Sequence, residues 1–258
     1  MHHYTPRMNL LANKIILVTG SSSGIGREAA LTYARYGAEI ILLGRNKVKL
    51  KKVRDEIHLL SNKTRPAPSY YDIDFQETNP QNYLNLAQKI SSNYSRIDGI
   101  LHNASMLGEI KPISQQNPII WHQVMNVNIY ATFLLTQALM PLLLCSLSGS
   151  LILTSSSVGR KGRSGWGAYC VSKFATEGFM QVLADEHKKT HLRINCINPG
   201  PIKTKMRACA FPQENAEILP TPAAIMPIYL YLMGEDSVHE NGVSFDAQKT
   251  LIRTTADS

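Results

Sequence analysis

Residues 14–29, KIILVTGSSSGIGREA, are the part of the chain that indicates its fold most directly. It begins with a short, β-branched apolar run, which is typical of a buried strand. Its glycines then permit a tight turn, and a helix is predicted from about Ile25 to Tyr36, ending at Gly37. Because a helix start offers unpaired N–H groups and the positive end of the helix dipole, the turn is expected to bind phosphate groups. The glycine spacing is GxxxGxG, and the residues expected to contact a bound diphosphate are Gly20, Ser22, Ser23, Gly24, Ile25 and Gly26.

Strand and helix patterns alternate along the rest of the chain. Further strands are predicted at about 39–43, 70–73, 97–102, 151–154, 193–197 and 243–246, and helices at about 46–60, 80–92, 118–145, 169–189 and 222–233. This alternation indicates an α/β fold: a Rossmann-like, doubly wound parallel sheet of about seven strands with helices on both faces. No repeat or linker divides the chain, so residues 1–258 are expected to form a single domain. Within it we expect a short N-terminal arm at 1–13, a loop at 61–69 and a substrate loop at about 203–220.

Composition limits the class of protein. The 258 residues carry a formal net charge of +8, with 44% apolar and 18% charged residues, as expected for a soluble globular protein. No nucleic-acid-binding motif accompanies the charge, so no nucleic-acid partner is expected. The cysteines form no CxxC pair and no HExxH motif occurs, so no metal is expected. The amino terminus lacks an apolar signal segment, and the apolar stretch from Ala138 to Cys145 is short and contains Pro141, so we expect a cytoplasmic protein without membrane contact.

The end of the second predicted strand favours one nicotinamide nucleotide over the other. In dinucleotide-binding folds an Asp or Glu at this position binds the ribose 2′-hydroxyl of NAD. This chain has Leu43-Gly44-Arg45-Asn46 instead, with no carboxylate and one guanidinium. Because arginine pairs well with a phosphate dianion, Arg45 predicts NADP(H), with its 2′-phosphate, as the cofactor in preference to NAD.

A serine, a tyrosine and a lysine form the candidate catalytic group in TSSSVGRKGRSGWGAYCVSK, residues 154–173. Tyr169 and Lys173 are four residues apart on a predicted helix, so their side chains point to one face. A nearby ammonium is expected to lower the pKa of the Tyr169 phenol from about 10 and so suit it for acid/base catalysis near neutral pH. Ser156 could donate a hydrogen bond to a carbonyl oxygen. Trp166 either lines a substrate pocket or packs within a loop, and the sequence favours neither alternative.

Three motifs in this order resemble the short-chain dehydrogenase/reductase family: TGSSSGIG at 19–26, Ser156…Tyr169-Cys-Val-Ser-Lys173, and INPGPIKT at 197–204. The resemblance covers nearly the whole chain and is greatest to a bacterial branch of oxidoreductases without an established substrate. It implies that Tyr169 exchanges the proton, that Lys173 binds the nicotinamide ribose and tunes Tyr169, and that Ser156 positions the substrate oxygen.

The same resemblance implies further site residues. An asparagine is expected to hold a water in a proton relay, and Asn128 fits the pattern better than Asn126. Other cofactor contacts, besides Tyr169 and Lys173, are implied for Asp74 (with Asp72 as the alternative), Asn103, Ala104, Pro199, Gly200, Ile202 and Thr204. The chain departs from the family pattern at two places: Ser105 stands where the family commonly has glycine, and FDAQKT at 245–250 stands where it commonly has Asp-Gly-Gly. The family's usual assembly implies a homodimer or homotetramer.

These observations predict an NADP(H)-dependent oxidoreductase that transfers hydride between the nicotinamide and a small-molecule carbonyl or alcohol substrate, with Tyr169 as general acid/base. A 3-oxoacyl-thioester reductase is the more specific alternative, and a non-catalytic NADP-binding regulator is an alternative of another class. Six basic residues in two loops expected to border the site raise the hypothesis of an anionic or carrier-bound substrate, although solvent-facing charge is the simpler interpretation. These residues are Arg160, Lys161, Arg163, Lys203, Lys205 and Arg207.

Overall fold

The structure, a computed structural model, describes residues 4–60, 67–77 and 79–249, so the start of the predicted arm and most of the loop predicted at 61–69 lie outside the described residues. Its centre is a parallel sheet of seven strands, which confirms the predicted fold class. The strands are β1 (Ile15–Thr19), β2 (Glu39–Gly44), β3 (Ser69–Asp72), β4 (Gly99–His102), β5 (Gly149–Thr154), β6 (Leu192–Asn198) and β7 (Ser244–Asp246). The helices are α1 (Gly24–Arg35), α2 (Lys47–Leu60), α3 (Pro80–Ser91), α4 (Pro118–Met125), α5 (Ala131–Leu144), α6 (Gly167–Glu186), α7 (Lys205–Ala210) and α8 (Met226–Met233).

The order of the strands brings the segments that follow β1 and β4 together at the carboxyl ends of these two central strands. The strands lie in the order β3-β2-β1-β4-β5-β6-β7, so the winding direction reverses between β1 and β4. In such sheets ligands bind at the carboxyl ends of the strands beside the reversal. Thr19, the last residue of β1, joins the two strand ends, because its hydroxyl accepts hydrogen bonds from the N–H groups of Asn103 and Ala104 at 2.9 and 3.0 Å. The glycine turn and the segment after β4 therefore lie side by side.

Alternate residues of the central strands enter two separate apolar cores. In β1, Ile16 and Val18 pack with α1, α2 and α8 on one face, whereas Leu17 packs with α3, α5 and α6 on the other. All three side chains are fully buried. A strand buried on both faces explains why residues 15–18 form a continuous apolar run instead of an alternating one.

The helix predicted at 118–145 is divided by a π-helical segment, Asn126–Tyr130, between α4 and α5. The joined stretch Pro118–Leu144 has 27 residues and a mean hydropathy of 1.6, and Ala216–Met233 is also long and apolar enough to cross a membrane. The apolar helical stretch is therefore longer than the segment from Ala138 to Cys145, so the short length of that segment does not by itself exclude a membrane span. However, 44% of each apolar window is buried within the protein, where α5 and α8 cover opposite faces of the sheet.

The other predicted elements agree with the structure to within a few residues. The exception is α7, which lies in the predicted substrate loop, where the sequence shows no helical period. Its cap is local, because the Thr204 hydroxyl accepts a hydrogen bond from the Arg207 N–H at 3.2 Å. A helix of 6 residues is too short for periodicity to reveal.

Candidate active site

The glycine turn after β1 leaves no room for side chains at two positions. Gly20 has a φ of +64°, and a Cβ there would lie 2.9 Å from the Cα of Ala104. A Cβ on Gly26 would lie 2.5 Å from the Asn103 side-chain nitrogen. Ser23, the N-cap of α1, makes no side-chain hydrogen bond to the helix, so its hydroxyl does not occupy the first N–H groups of α1. The turn thus offers backbone donors and close approach, which is what a diphosphate requires.

A cleft of about 820 Å³ runs along the carboxyl ends of the strands, within the size range of ligand and cofactor sites. Among the predicted site residues, it is lined by Gly20, Ser22, Ser23, Gly24, Ile25, Arg45, Asp74, Asn103, Ala104, Ser156, Tyr169, Lys173, Pro199, Gly200, Ile202 and Thr204. Gly26 and Asn128 are buried and do not line the cleft. Asp74 lines it and Asp72 does not, so the structure favours the first of these two alternatives.

Arg45 lies just past the end of β2 on the rim of this cleft. Arg27 and Arg54 on the neighbouring helices pair with acidic residues, whereas Arg45 has no ion pair in the described part of the chain. Its side chain is exposed, and Lys49 lines the same rim. An uncompensated guanidinium and an ammonium at this edge suit a phosphate group on the adenine ribose.

Tyr169 and Lys173 lie on one face of α6, as their spacing predicts, with the Lys173 ammonium 5.4 Å from the centre of the Tyr169 ring. Burial raises the pKa of Tyr169 to about 12, and a hydrogen bond from Ser156 offsets this only in part. The expectation that the pKa of Tyr169 lies below 10 is therefore wrong. The ammonium donates to the Thr154 carbonyl at 2.7 Å, and loss of solvation dominates the titration of the phenol.

Lys173 is itself buried, and a carboxylate that none of the sequence motifs indicates, Glu177, lies behind it. Burial lowers the pKa of Lys173 to about 8, while Cys196 and Glu177 raise it in part. Glu177 lies one turn further along α6 at 6% exposure, and its carboxylate accepts hydrogen bonds from the hydroxyls of Ser155 and Ser244. Its spacing of four residues from Lys173 is the signal that could have found it.

Asn128 lies in the π-helical segment, and its amide makes four hydrogen bonds within the protein. Oδ1 accepts from the Ser105 hydroxyl at 3.1 Å and from the Met106 N–H at 2.7 Å. Nδ2 donates to the Met106 carbonyl at 3.0 Å and to the Ser172 hydroxyl at 2.9 Å. A carboxamide offers two donors and two acceptor lone pairs, so this side chain has no capacity left for water. Any part of Asn128 in a proton relay would pass through its backbone.

The two departures from the family pattern both form contacts near the cleft. Ser105 supplies one of the four bonds to Asn128, which a glycine could not do. In the carboxyl-terminal motif, Gln248 Nε2 donates to the carbonyls of Pro199 and Pro201 at 3.0 and 2.8 Å. The segment after β7 thus braces the loop after β6. Thr250, the last residue of that motif, lies outside the described residues.

Three of the six basic residues behind the anionic-substrate hypothesis are paired with carboxylates. The pairs are Arg160 with Asp246, Lys203 with Glu217, and Arg207 with Glu214, at 2.7, 2.7 and 2.6 Å. Arg163 stacks on the Trp166 ring at 5.7 Å. Lys161 and Lys205 are exposed and have no ion pair within residues 4–60, 67–77 and 79–249. Much of the positive charge in these loops is therefore neutralised, which weakens the hypothesis.

Comparison with known proteins gives a consistent result. The short chain dehydrogenase family profile matches residues 14–215. The uncharacterized oxidoreductase YciK of Escherichia coli K12 is 58% identical over 246 residues, which span 95% of this chain and 96% of that protein. The structure of a short chain dehydrogenase from Shigella flexneri complexed with NADP has a TM-score of 0.91 at 57% identity, covering 94% of this chain and 100% of that one. The structure of a short chain dehydrogenase from Escherichia coli CFT073 complexed with NADPH gives the same values.

Proposed function

The chain belongs to the short chain dehydrogenase family, and from this we propose that it is an NADP(H)-dependent oxidoreductase acting on a carbonyl or alcohol group. The observation that carries the proposal is the meeting of Ser156, Tyr169 and Lys173 in the same cleft as the glycine turn and Arg45. The NADP and NADPH bound to the two related structures support the choice of cofactor.

The cleft fits a dinucleotide that carries a 2′-phosphate. The turn at Gly20, where a Cβ would collide with the backbone, together with the start of α1, would hold the diphosphate. Arg45 would pair with the 2′-phosphate, and the loop at Pro199 and Gly200 would border the nicotinamide. When bound, NADPH supplies the hydride, while the protein orients and polarises the reacting groups.

Tyr169 acts as the general acid in carbonyl reduction. With a pKa of about 12, its phenol stays protonated at neutral pH and can release its proton to the oxygen of a developing alkoxide. Ser156 donates a hydrogen bond to the same oxygen. Lys173, with a pKa of about 8, keeps its charge at neutral pH, and this charge stabilises the phenolate that forms nearby. In alcohol oxidation the same groups act in reverse.

Tyr169→Phe tests this assignment, because it removes the acidic hydroxyl and keeps the ring. We expect NADPH consumption to fall by about 10²–10⁴-fold, the usual contribution of general acid catalysis. NADPH affinity, measured by fluorescence titration, should not change. Substrates would come from a panel of aldehydes, ketones, quinones and oxoacyl thioesters.

Two outcomes would count against the proposal. Turnover that survives in Tyr169→Phe would overturn the role of Tyr169. Wild-type protein that binds NADPH but reduces no carbonyl compound in the panel would favour the non-catalytic regulator.

A further inference from the structure

We propose that the cleft takes a neutral carbonyl compound with a flat apolar group, such as an aromatic ring, next to the carbonyl carbon, and that Trp166 selects it. This inference rests on the proposed function and deepens it. Its basis is an aromatic wall: the Trp166 indole, which lines the cleft, is supported by the tilted Phe211 ring and by the Arg163 guanidinium.

The Trp166 indole lies beside the proposed acid. Its ring centre is 5.8 Å from that of Tyr169, with the planes at 53°, which is direct ring contact. The indole is half-buried and lines the cleft. A substrate whose oxygen reaches the Tyr169 hydroxyl therefore brings the substituents of its carbonyl carbon beside this indole.

The backbone around Trp166 is shaped to present the indole. Gly165 and Gly167 have φ values of +84° and +36°, in the left-handed region that favours glycine. A Cβ on Gly167 would lie 2.4 Å from the side chain of Gln116, which is itself held by a 2.8 Å hydrogen bond to the Lys111 carbonyl. Glycine at both positions lets the backbone turn on either side of Trp166, and the indole lies between the rings of Tyr169 and Phe211.

The guanidinium groups of two arginines near this wall pack against the Trp166 and Phe211 rings. The Arg163 guanidinium lies 5.7 Å from the ring centres of both Trp166 and Phe211, and Phe211 lies 5.7 Å from Trp166. Arg207 stacks on Phe211, with its guanidinium carbon 3.7 Å from the ring centre, while its Nε and Nη2 donate hydrogen bonds to the Glu214 carboxylate. These cations are stacked or paired, so they are poor partners for a substrate carboxylate.

Apolar side chains cover much of the substrate end of the cleft. Besides Trp166 they are Met106, Leu107, Met206 and Ala210; the same segment also contributes Lys205, which is exposed to solvent, and Arg207, which is paired with Glu214. Leu107, Met206 and Trp166 pack on the small apolar cluster that contains Tyr169. Methionine side chains adapt their shape and make favourable contacts with aromatic rings. A flat apolar group matches this lining, whereas a charged group would lose its hydration without a buried partner.

The test compares three substrates with the NADPH-loaded protein: an aryl methyl ketone, an aliphatic methyl ketone of equal carbon number, and an arylglyoxylate anion. We expect the highest kcat/KM for the neutral aryl ketone. Trp166→Ala should lower the aryl-to-aliphatic ratio of kcat/KM by about fivefold to tenfold, which corresponds to one aromatic contact. Trp166→Phe keeps a ring, so this matched control should largely keep the ratio. A higher kcat/KM for the anion, or an equal loss on both ketones in Trp166→Ala, would overturn the inference.

A binding measurement separates this inference from the proposed function. The chain has 2 tryptophans, so addition of the aryl ketone to the NADP⁺ complex should quench part of the intrinsic fluorescence in wild-type protein but not in Trp166→Phe. If no carbonyl compound is reduced, the proposed function fails while this quenching still decides the inference. Absence of quenching, or equal quenching in both proteins, would overturn the inference even if turnover is seen.

Discussion

Replacing Asn128 by alanine is expected to lower the free energy of unfolding by about 4 kcal/mol. The amide of Asn128 satisfies both the N–H and the carbonyl of Met106, at 2.7 and 3.0 Å, and Asn128 is 3% exposed. Alanine leaves these two partly buried backbone groups without that partner. Each stranded group costs about 1–3 kcal/mol, so the pair costs about 4 kcal/mol at the middle of the range.

Urea unfolding followed by circular dichroism measures this loss, and a thermal scan should show a Tm lower by about 8–16 °C for a chain of this size. Ser105→Ala is the matched control. It removes one of the four bonds and leaves Oδ1 bonded to the Met106 N–H, so it should cost only about 1 kcal/mol. If Asn128→Ala proves no less stable than Ser105→Ala, the amide does not hold the segment after β4 as the structure indicates.

Three other substitutions address a buried histidine, the rim of the cleft and a buried carboxylate. Burial lowers the pKa of His102 to about 3, whereas in the unfolded chain this pKa is about 6.5. Between pH 6.5 and pH 3 the unfolded chain therefore binds a proton that the folded chain does not. Stability is therefore lost as the pH falls, by about 2 kcal/mol at pH 5, and urea unfolding of His102→Gln should show a weaker acid-side loss than wild type. Arg45→Ala should raise the Kd of NADPH by about 10–100-fold and leave that of NADH unchanged in fluorescence titrations; equal weakening of both would contradict its pairing with a 2′-phosphate. Glu177→Gln keeps the shape of a group whose charge raises the pKa of Lys173, so the alkaline limb of the kcat/KM profile should move to lower pH; an unmoved limb would leave Glu177 a purely structural role.

Local features of the fold and site could be predicted from the sequence because they depend on residues close together in the chain. The strand, glycine turn and helix at 14–35 follow from short-range backbone preferences. The common face of Tyr169 and Lys173 follows from the helical repeat. The parallel sheet follows from the alternation of elements, and family membership from the order of three motifs.

Other properties depend on contacts between distant segments, and no local pattern contains them. The short helix α7 and the π-helical segment at Asn126–Tyr130 have no periodic signal of their own. The role of Ser105 could not be anticipated either, because its partner Asn128 is 23 positions away. Glu177 likewise meets Ser155 and Ser244 only because β5, β7 and α6 converge.

The pKa of Tyr169 shows most clearly the difference between what local sequence patterns predict and what contacts between distant segments set. The spacing along the chain shows that a lysine lies one helical turn from the tyrosine, which predicts a lowered pKa for the phenol. The direction of the pKa shift depends instead on packing, because Leu107, Val158 and Met206, from three separate segments, pack around Tyr169 and burial raises its pKa. The spacing of two residues along a helix fixes the direction in which their side chains point, whereas the solvation of a side chain depends on all the residues that pack around it. The sequence therefore predicts that Tyr169 and Lys173 share one face of a helix, and the packing of the folded protein sets the pKa of the Tyr169 phenol.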